Sequence, residues 1–348
     1  MKRALVISGG GSKGVFAVGV LKDLIKTFPN LDFDIFVGTS AGSLIITLAS
    51  LKQYALLEEI YTTTGTIDIL QKFNIAGRIS ESSLFTVERS LKLIEKHYPK
   101  AKFDQLLAST RKVFLTTTCM QSGELTVFAT DANSINPKDY TVTQIVDVDH
   151  YRRAVLASCC IPVFMPPIKV NIHAGPDATR HLQFADGGVL EYAGVQMAVD
   201  AGATEIFVIL LNPGKVKPRQ PGEQFTKLFD VLLRTIDMFG ADVGKNDVLL
   251  TQEYNDALTY IDAVKKKMVS SGISQAQVDE FFRLGQGPNP FEDKIPLKIF
   301  TIRPTDFLGG GPGGLDFIPE EMKEMLALGE NRSEEFIAFL NPAEMTWA

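Results

Sequence analysis

The chain has 348 residues, 45% hydrophobic and 22% charged, with 35 Lys and Arg against 41 Asp and Glu. A net charge of −6 with no basic run argues against nucleic acid as a partner and against a polybasic membrane tether. Three cysteines (Cys119, Cys159, Cys160) without framework spacing argue against a disulfide scaffold and fit a reducing compartment, and four scattered histidines (His97, His150, His173, His181) form no metal-ligand pattern, so no metal or cofactor is expected.

Residues 4–7 read as a buried strand. The apolar run there is too short for a secretory leader, and no stretch is long enough to cross a bilayer, so the expectation is a cytoplasmic protein, at most peripheral at membranes. A helix follows from Ser12, with Val15, Val18, Leu21, Leu24, Ile25 and Phe28 at three- and four-residue spacings, and Pro29 ends it. Residues 33–37 are a second strand and 43–52 its helix. This β-α-β-α run implies a parallel sheet layered with helices. Further on, 84–98 is an amphipathic helix, 113–118 and 125–129 a hairpin, and 152–157 helical. Residues 181–184 and 206–211 are strands with a helix at 195–201 between them. Residues 212–222, 286–296 and 304–319 are Pro/Gly loops. An apolar stripe runs through Phe225, Leu228, Phe229, Leu232, Leu233, Ile236 and Phe239, either as core packing or as a lid. Residues 297–302 are a last strand, and 320–328 and 333–340 terminal helices.

Four segments carry chemistry. Gly38-Thr39-Ser40-Ala41-Gly42 lies between a strand and a helix, the context of a nucleophile elbow. Its glycines permit a sharp turn that lifts the Ser40 hydroxyl out of the sheet edge. Ser8-Gly9-Gly10-Gly11-Ser12-Lys13-Gly14 follows the first strand and can aim consecutive N–H groups at a negative oxygen. It also fits the dinucleotide fingerprint, but that fingerprint needs an acid at the end of the second strand, where this chain has Gly38-Thr39-Ser40. A P-loop fails because Gly14 follows Lys13. Both glycine sites follow neighbouring parallel strands, so both lie at the carboxyl edge of the sheet.

The third segment, Asp186-Gly187-Gly188, is either a plain Asp-Gly turn or the base for Ser40. His173 and His181 are the alternative bases, although no histidine follows residue 181, where an α/β-hydrolase triad places its own. The fourth, Ser158-Cys159-Cys160-Ile161-Pro162-Val163-Phe164-Met165-Pro166-Pro167, is a proline-rich loop with an apolar lining.

In this order and at these intervals, the four segments resemble the patatin-like phospholipase family over roughly residues 3–212, and residues 315–329 resemble the closing helix of many bacterial members. The resemblance implies a three-layer α/β fold, its mostly parallel central sheet carrying helices on both faces. It divides the chain into a catalytic core, 1–212, and a C-terminal helical region with one added strand, 213–348, packed on the same domain. It implies a Ser/Asp dyad, with Ser40 as nucleophile and Asp186 as general base. The N–H groups of Gly9, Gly10 and Gly11 form the oxyanion hole, and Gly14, Gly38, Gly42, Gly187 and Gly188 support the motifs. Lys13 stands where the family more often has Arg, so a bidentate fork is missing there. The expected activity is hydrolysis of lipid acyl esters through an acyl-serine, at transient contact with a membrane or micelle. Val163, Phe164, Met165 and the stripe at 225–239 are candidates for the acyl groove. A His-assisted esterase and a non-catalytic lipid-binding protein of the same fold are the alternatives.

Overall fold

The structure, a computed structural model, describes residues 2–72, 82–173, 179–283, 291 and 294–340. Its strands in chain order are β1 (Arg3–Ile7), β2 (Ile35–Thr39), β3 (Gln71–Lys72), β4 (Phe85–Thr86), β5 (Lys112–Cys119), β6 (Leu125–Ala129), β7 (Thr141–Gln144), β8 (Ile168–His173), β9 (Thr179–Asp186), β10 (Glu205–Ile209) and β11 (Lys298–Ile302). The helices are α1 (Gly14–Thr27), α2 (Ala41–Ser50), α3 (Tyr54–Thr63), α4 (Thr66–Ile69), α5 (Glu88–His97), α6 (Lys100–Ala108), α7 (Val148–Ser158), α8 (Val195–Asp200), α9 (Leu228–Ser270), α10 (Gln275–Phe282) and α11 (Pro319–Phe339).

Side chains alternate across a strand, and here both faces are apolar. Leu5, Ile7, Phe36, Phe207 and Ile209 enter one core, shared with α1, α2, α3, α7 and α11. Ala4, Val6, Ile35, Val37, Ile206 and Val208 enter a second core on the opposite face, shared with α8 and with Val248 of α9. Helices therefore cover both faces of the sheet, in three layers. The strand order is β11-β10-β1-β2-β5-β6-β7, with β9 and β8 branching from β5. Pairing is parallel from β11 to β5 and between β6 and β7, and antiparallel where β5 meets β6 and β9 and where β8 meets β9. The C-terminal region adds β11 to the sheet beside β10, and α11 crosses α1 at Gly19 and Gly329, where neither backbone leaves room for a Cβ.

One register positions the site. β6 occupies one edge of β5 from Phe114 to Thr118, so β2 and β9 share the other edge. β2 climbs that edge and ends with Thr39 opposite Thr116; β9 descends it and ends with Asp186 opposite Thr117. Two strands running toward each other thus stop one residue apart, and the residues at their ends are neighbours.

Several elements differ from expectation. Residues 84–87 include β4, and the helix begins at Glu88. The two expected terminal helices are one, α11. The stripe from Leu228 to Phe239 belongs to a helix of 43 residues, α9, and Phe225 precedes that helix. The loop expected at 286–296 lies mostly outside the described residues.

Candidate active site

Ser40 caps α2 directly after β2 and has φ 53° and ψ −124°, a conformation costly for a residue with a Cβ. The flanking glycines make the turn possible. A Cβ on Gly38 would lie 2.6 Å from the backbone of Gly42, and one on Gly42 would overlap the carbonyl of Ile7. Hydrogen bonds hold the strained backbone: the Ser40 N–H donates to Ser158 Oγ at 3.0 Å, and the Ser40 carbonyl accepts from Ser43 N–H at 2.9 Å and from Cys159 Sγ at 3.2 Å. The Ser158 and Ser43 hydroxyls are 2.7 Å apart, and Ser43 also donates to the Gly38 carbonyl.

Asp186 is held equally tightly. Its N–H donates to the Cys160 carbonyl at 2.9 Å, and its own carbonyl accepts from Thr118 Oγ1 at 3.0 Å. Its carboxylate accepts the Gly188 N–H at 2.8 Å, and the Ser40 hydroxyl lies near enough to favour its charged form. The side chain is buried, and burial pushes its pKa from 3.8 up to about 6, against the Ser40 hydroxyl and the Gly188 N–H, which favour the anion. Asp186 is therefore still mostly ionised at neutral pH, but it is a better proton acceptor than an exposed aspartate. His181 is exposed. The side chain of His173 lies outside the described residues.

The glycine loop lies beside this pair. A Cβ on Gly9 would come within 3.2 Å of Ser40 Cβ. The Gly9 N–H donates to the Tyr192 carbonyl at 3.2 Å, which corrects the expectation of three free donors. That bond ties the loop to the segment following Asp186 and takes Gly9 out of reach of a ligand oxygen. The N–H groups of Gly10 and Gly11 have no protein acceptor among the described residues. Lys13 is half-buried, and its pKa is lowered by burial and raised by the charge of Asp237.

Ser40 and Gly11 stand in the wall of a narrow cavity of about 120 Å³. The rest of its wall is mostly apolar: Ala41, Leu44 and Leu48 from α2, Leu57, Ile60 and Tyr61 from α3, Leu93, Ile94 and His97 from α5, with Leu156, Ile161, Met165, Leu315 and Phe317. Met165 is where the acyl groove was expected. Phe164 is instead packed in the core, Val163 is 49% exposed, and among the described residues no lining comes from 225–239, which corrects the assignment of that stripe to the groove. Leu232, Leu233 and Ile236 of α9 pack on the core instead.

Sequence reasoning missed Ser158, Cys159 and Tyr192. The first two lay within a block already singled out, but nothing in the sequence tied them to the Ser40 backbone. Tyr192 follows the Asp-Gly-Gly turn by four residues and had no motif to mark it.

A mostly parallel three-layer α/β sheet with a strained serine between strand and helix defines the class. The chain belongs to the patatin-like phospholipase family, whose model matches residues 5–199. Membership supports a general lipid-hydrolase or esterase activity. Among solved structures, VipD from Legionella pneumophila aligns over 97% of this chain at 11% identity with a TM-score of 0.36, and the chain spans 66% of that protein's length. No curated protein matches the chain.

Proposed function

We propose that the protein is a lipid acyl hydrolase of phospholipase A or lysophospholipase type, acting through an acyl-serine on Ser40. The observation that carries this reading is the approach of the strained Ser40, in the wall of an apolar cavity, to the buried Asp186 carboxylate, whose anion the Ser40 hydroxyl favours. As Ser40 Oγ bonds to the ester carbonyl carbon, Asp186 takes its proton. The oxyanion that forms is met by the N–H groups of Gly10 and Gly11. The leaving alcohol departs with the proton from Asp186, and water, activated by the same carboxylate, releases the acid; another hydroxyl in place of water gives transacylation. The acyl chain lies in the cavity between α2, α3 and α5.

Substrate reaches the site by transient contact with a membrane or micelle, and the protein is read as a cytoplasmic one that visits such surfaces. Among the described residues no helix is long and apolar enough to cross a membrane. Residues 213–348 are read as part of the same unit as 1–212, because β11 continues the sheet and α11 packs on α1.

The test is hydrolysis of a chromogenic fatty-acyl ester by wild type, Ser40→Ala, Asp186→Asn and His181→Ala, with fluorophosphonate labelling of each. Loss in the first two variants with retention in the third is expected. Full activity of Asp186→Asn removes Asp186 from the mechanism, and loss in His181→Ala favours the His-assisted esterase. Products from a phospholipid mixture then name the bond cleaved.

A further inference from the structure

Residues 309–314, Gly-Gly-Gly-Pro-Gly-Gly, form an arch against the glycine loop after β1. The two meet glycine on glycine: a Cβ on Gly11 would overlap the Gly314 carbonyl, and one on Gly314 the Gly10 carbonyl. Ser12 Oγ is buried facing Gly310 and has no hydrogen-bond partner among the described residues, so the arch is held from elsewhere. The Gly310 N–H donates to Glu321 of α11 at 3.1 Å, the Asp316 N–H to the Gly310 carbonyl at 2.9 Å, and the Gly313 N–H to Asp237 Oδ1 of α9 at 3.2 Å. The last contact matters most, because Asp237 is also the charge that acts on Lys13, in the loop beneath. The other charged groups brought close by elements packed here, Asp316 beside Gly311 and Glu321 on the far end of the arch, brace the arch itself.

We propose that Asp237 is a positioning residue: by holding the arch through Gly313 and the glycine loop through Lys13, it fixes where the N–H groups of Gly10 and Gly11 point. The proposal rests on the reading of those two groups as oxyanion donors. Asp237 lies outside residues 5–199, so the C-terminal region sets geometry inside the site. A misplaced donor costs rate in the transition state and leaves ground-state binding almost untouched, so the effect belongs in kcat.

The experiment compares Asp237→Asn, which keeps an acceptor for Gly313 but removes the charge, with Asp237→Ala, which removes both, on a soluble chromogenic ester. For Asp237→Asn, kcat falls roughly tenfold with KM within about twofold, at an unchanged melting temperature; Asp237→Ala falls further. The alkaline limb of the kcat profile of Asp237→Asn moves to lower pH, because Lys13 has lost the charge that offset its desolvation. Lys13→Arg in that background, whose charge persists through this range, moves the limb back. Wild-type kcat in Asp237→Asn, or a loss that leaves the alkaline limb in place, overturns the proposal. Lys13→Gln tests the same link should Asp237→Asn fold poorly: kcat falls and the limb disappears, and an unmoved limb overturns the proposal. Ser40→Ala, run alongside, separates the two levels. If it retains hydrolysis, the acyl-serine reading fails; if it is dead while Asp237→Asn is unimpaired, the positioning role alone fails.

Discussion

The Ser158 hydroxyl accepts the backbone N–H of Ser40 at 3.0 Å, joining the end of α7 to the turn between β2 and α2 across 118 residues of sequence. Ser40 has positive φ, and this bond is one of the few that oppose its relaxation. Replacing Ser158 by alanine leaves a buried N–H unpaired, a loss of about 1–3 kcal/mol. In Ser158→Ala, urea unfolding is expected to show that loss, and kcat is expected to fall with little change in KM as the hydroxyl of Ser40 drifts from Asp186. An unchanged kcat in a destabilised variant would show that the elbow holds its shape alone.

Asp186 serves function at the expense of stability, and the two have opposite pH dependences. As a base it must be ionised, so the acid limb of kcat/KM is expected to rise with pH through about 6. Its folded pKa lies above the ordinary 3.8, so the folded chain holds a proton that the unfolded chain releases, and stability falls as pH rises between those values. Two pH units correspond to about 3 kcal/mol. Asp186→Asn is therefore expected to lose activity by at least about a hundredfold. It should also unfold at higher denaturant than wild type at pH 8 and show no such gain near pH 3.5. A destabilised Asp186→Asn at pH 8 would mean that its hydrogen bonds outweigh the cost of burying the charge.

The parts legible in the sequence were those with local causes. Gly38 and Gly42 mark the elbow because the turn admits nothing larger, and the apolar runs after Arg3 and Asp34 mark buried parallel strands. The meeting of Ser40 with Asp186 depends on β2 and β9 sharing one edge of β5, and a register between distant strands leaves no local trace. Gly329 misled because it serves packing, as Gly244 does. Gly329 breaks the pattern of α11 yet stays helical, because α1 crosses there at Gly19. Gly244 sits within α9 where a Cβ would come within 2.5 Å of the Tyr192 ring. Each is a notch for a neighbour that only the tertiary structure supplies.

The cavity sets a limit on chain length. Ser40 and Gly11 stand in its wall, and Ile60, Thr64, Leu93 and His97 of that wall also line a polar surface groove. A tryptophan at Leu93 would fill the part of the cavity that adjoins this groove. Leu93→Trp is expected to lower kcat/KM for long-chain esters by roughly tenfold or more, the equivalent of a few lost methylene contacts, while acetyl and butyryl esters are hydrolysed as by wild type. An equal loss for all chain lengths would place the acyl group elsewhere.

Behind the site, two buried carboxyl groups act on each other. Asp247 of α9 accepts the N–H groups of Tyr192 at 2.8 Å and Ala193 at 3.2 Å, while Glu191 accepts that of Gly194 at 2.7 Å and bonds to Asp247. Burial and the neighbouring Asp247 charge push Glu191 up to about 8, so at neutral pH it keeps its proton and donates it to Asp247. The unfolded chain releases that proton near 4.5, so stability falls as pH climbs from there to about 8. Asp186 has finished titrating by pH 7, and a loss between pH 7 and pH 9 therefore belongs to this pair. Glu191→Gln keeps an oxygen for Gly194 and a donor for Asp247 without a titrating proton. It is expected to flatten the stability profile between pH 7 and pH 9 and to exceed wild type at pH 9, read by urea unfolding at both. A wild type equally stable at both pH values would show that the two acids do not share a proton.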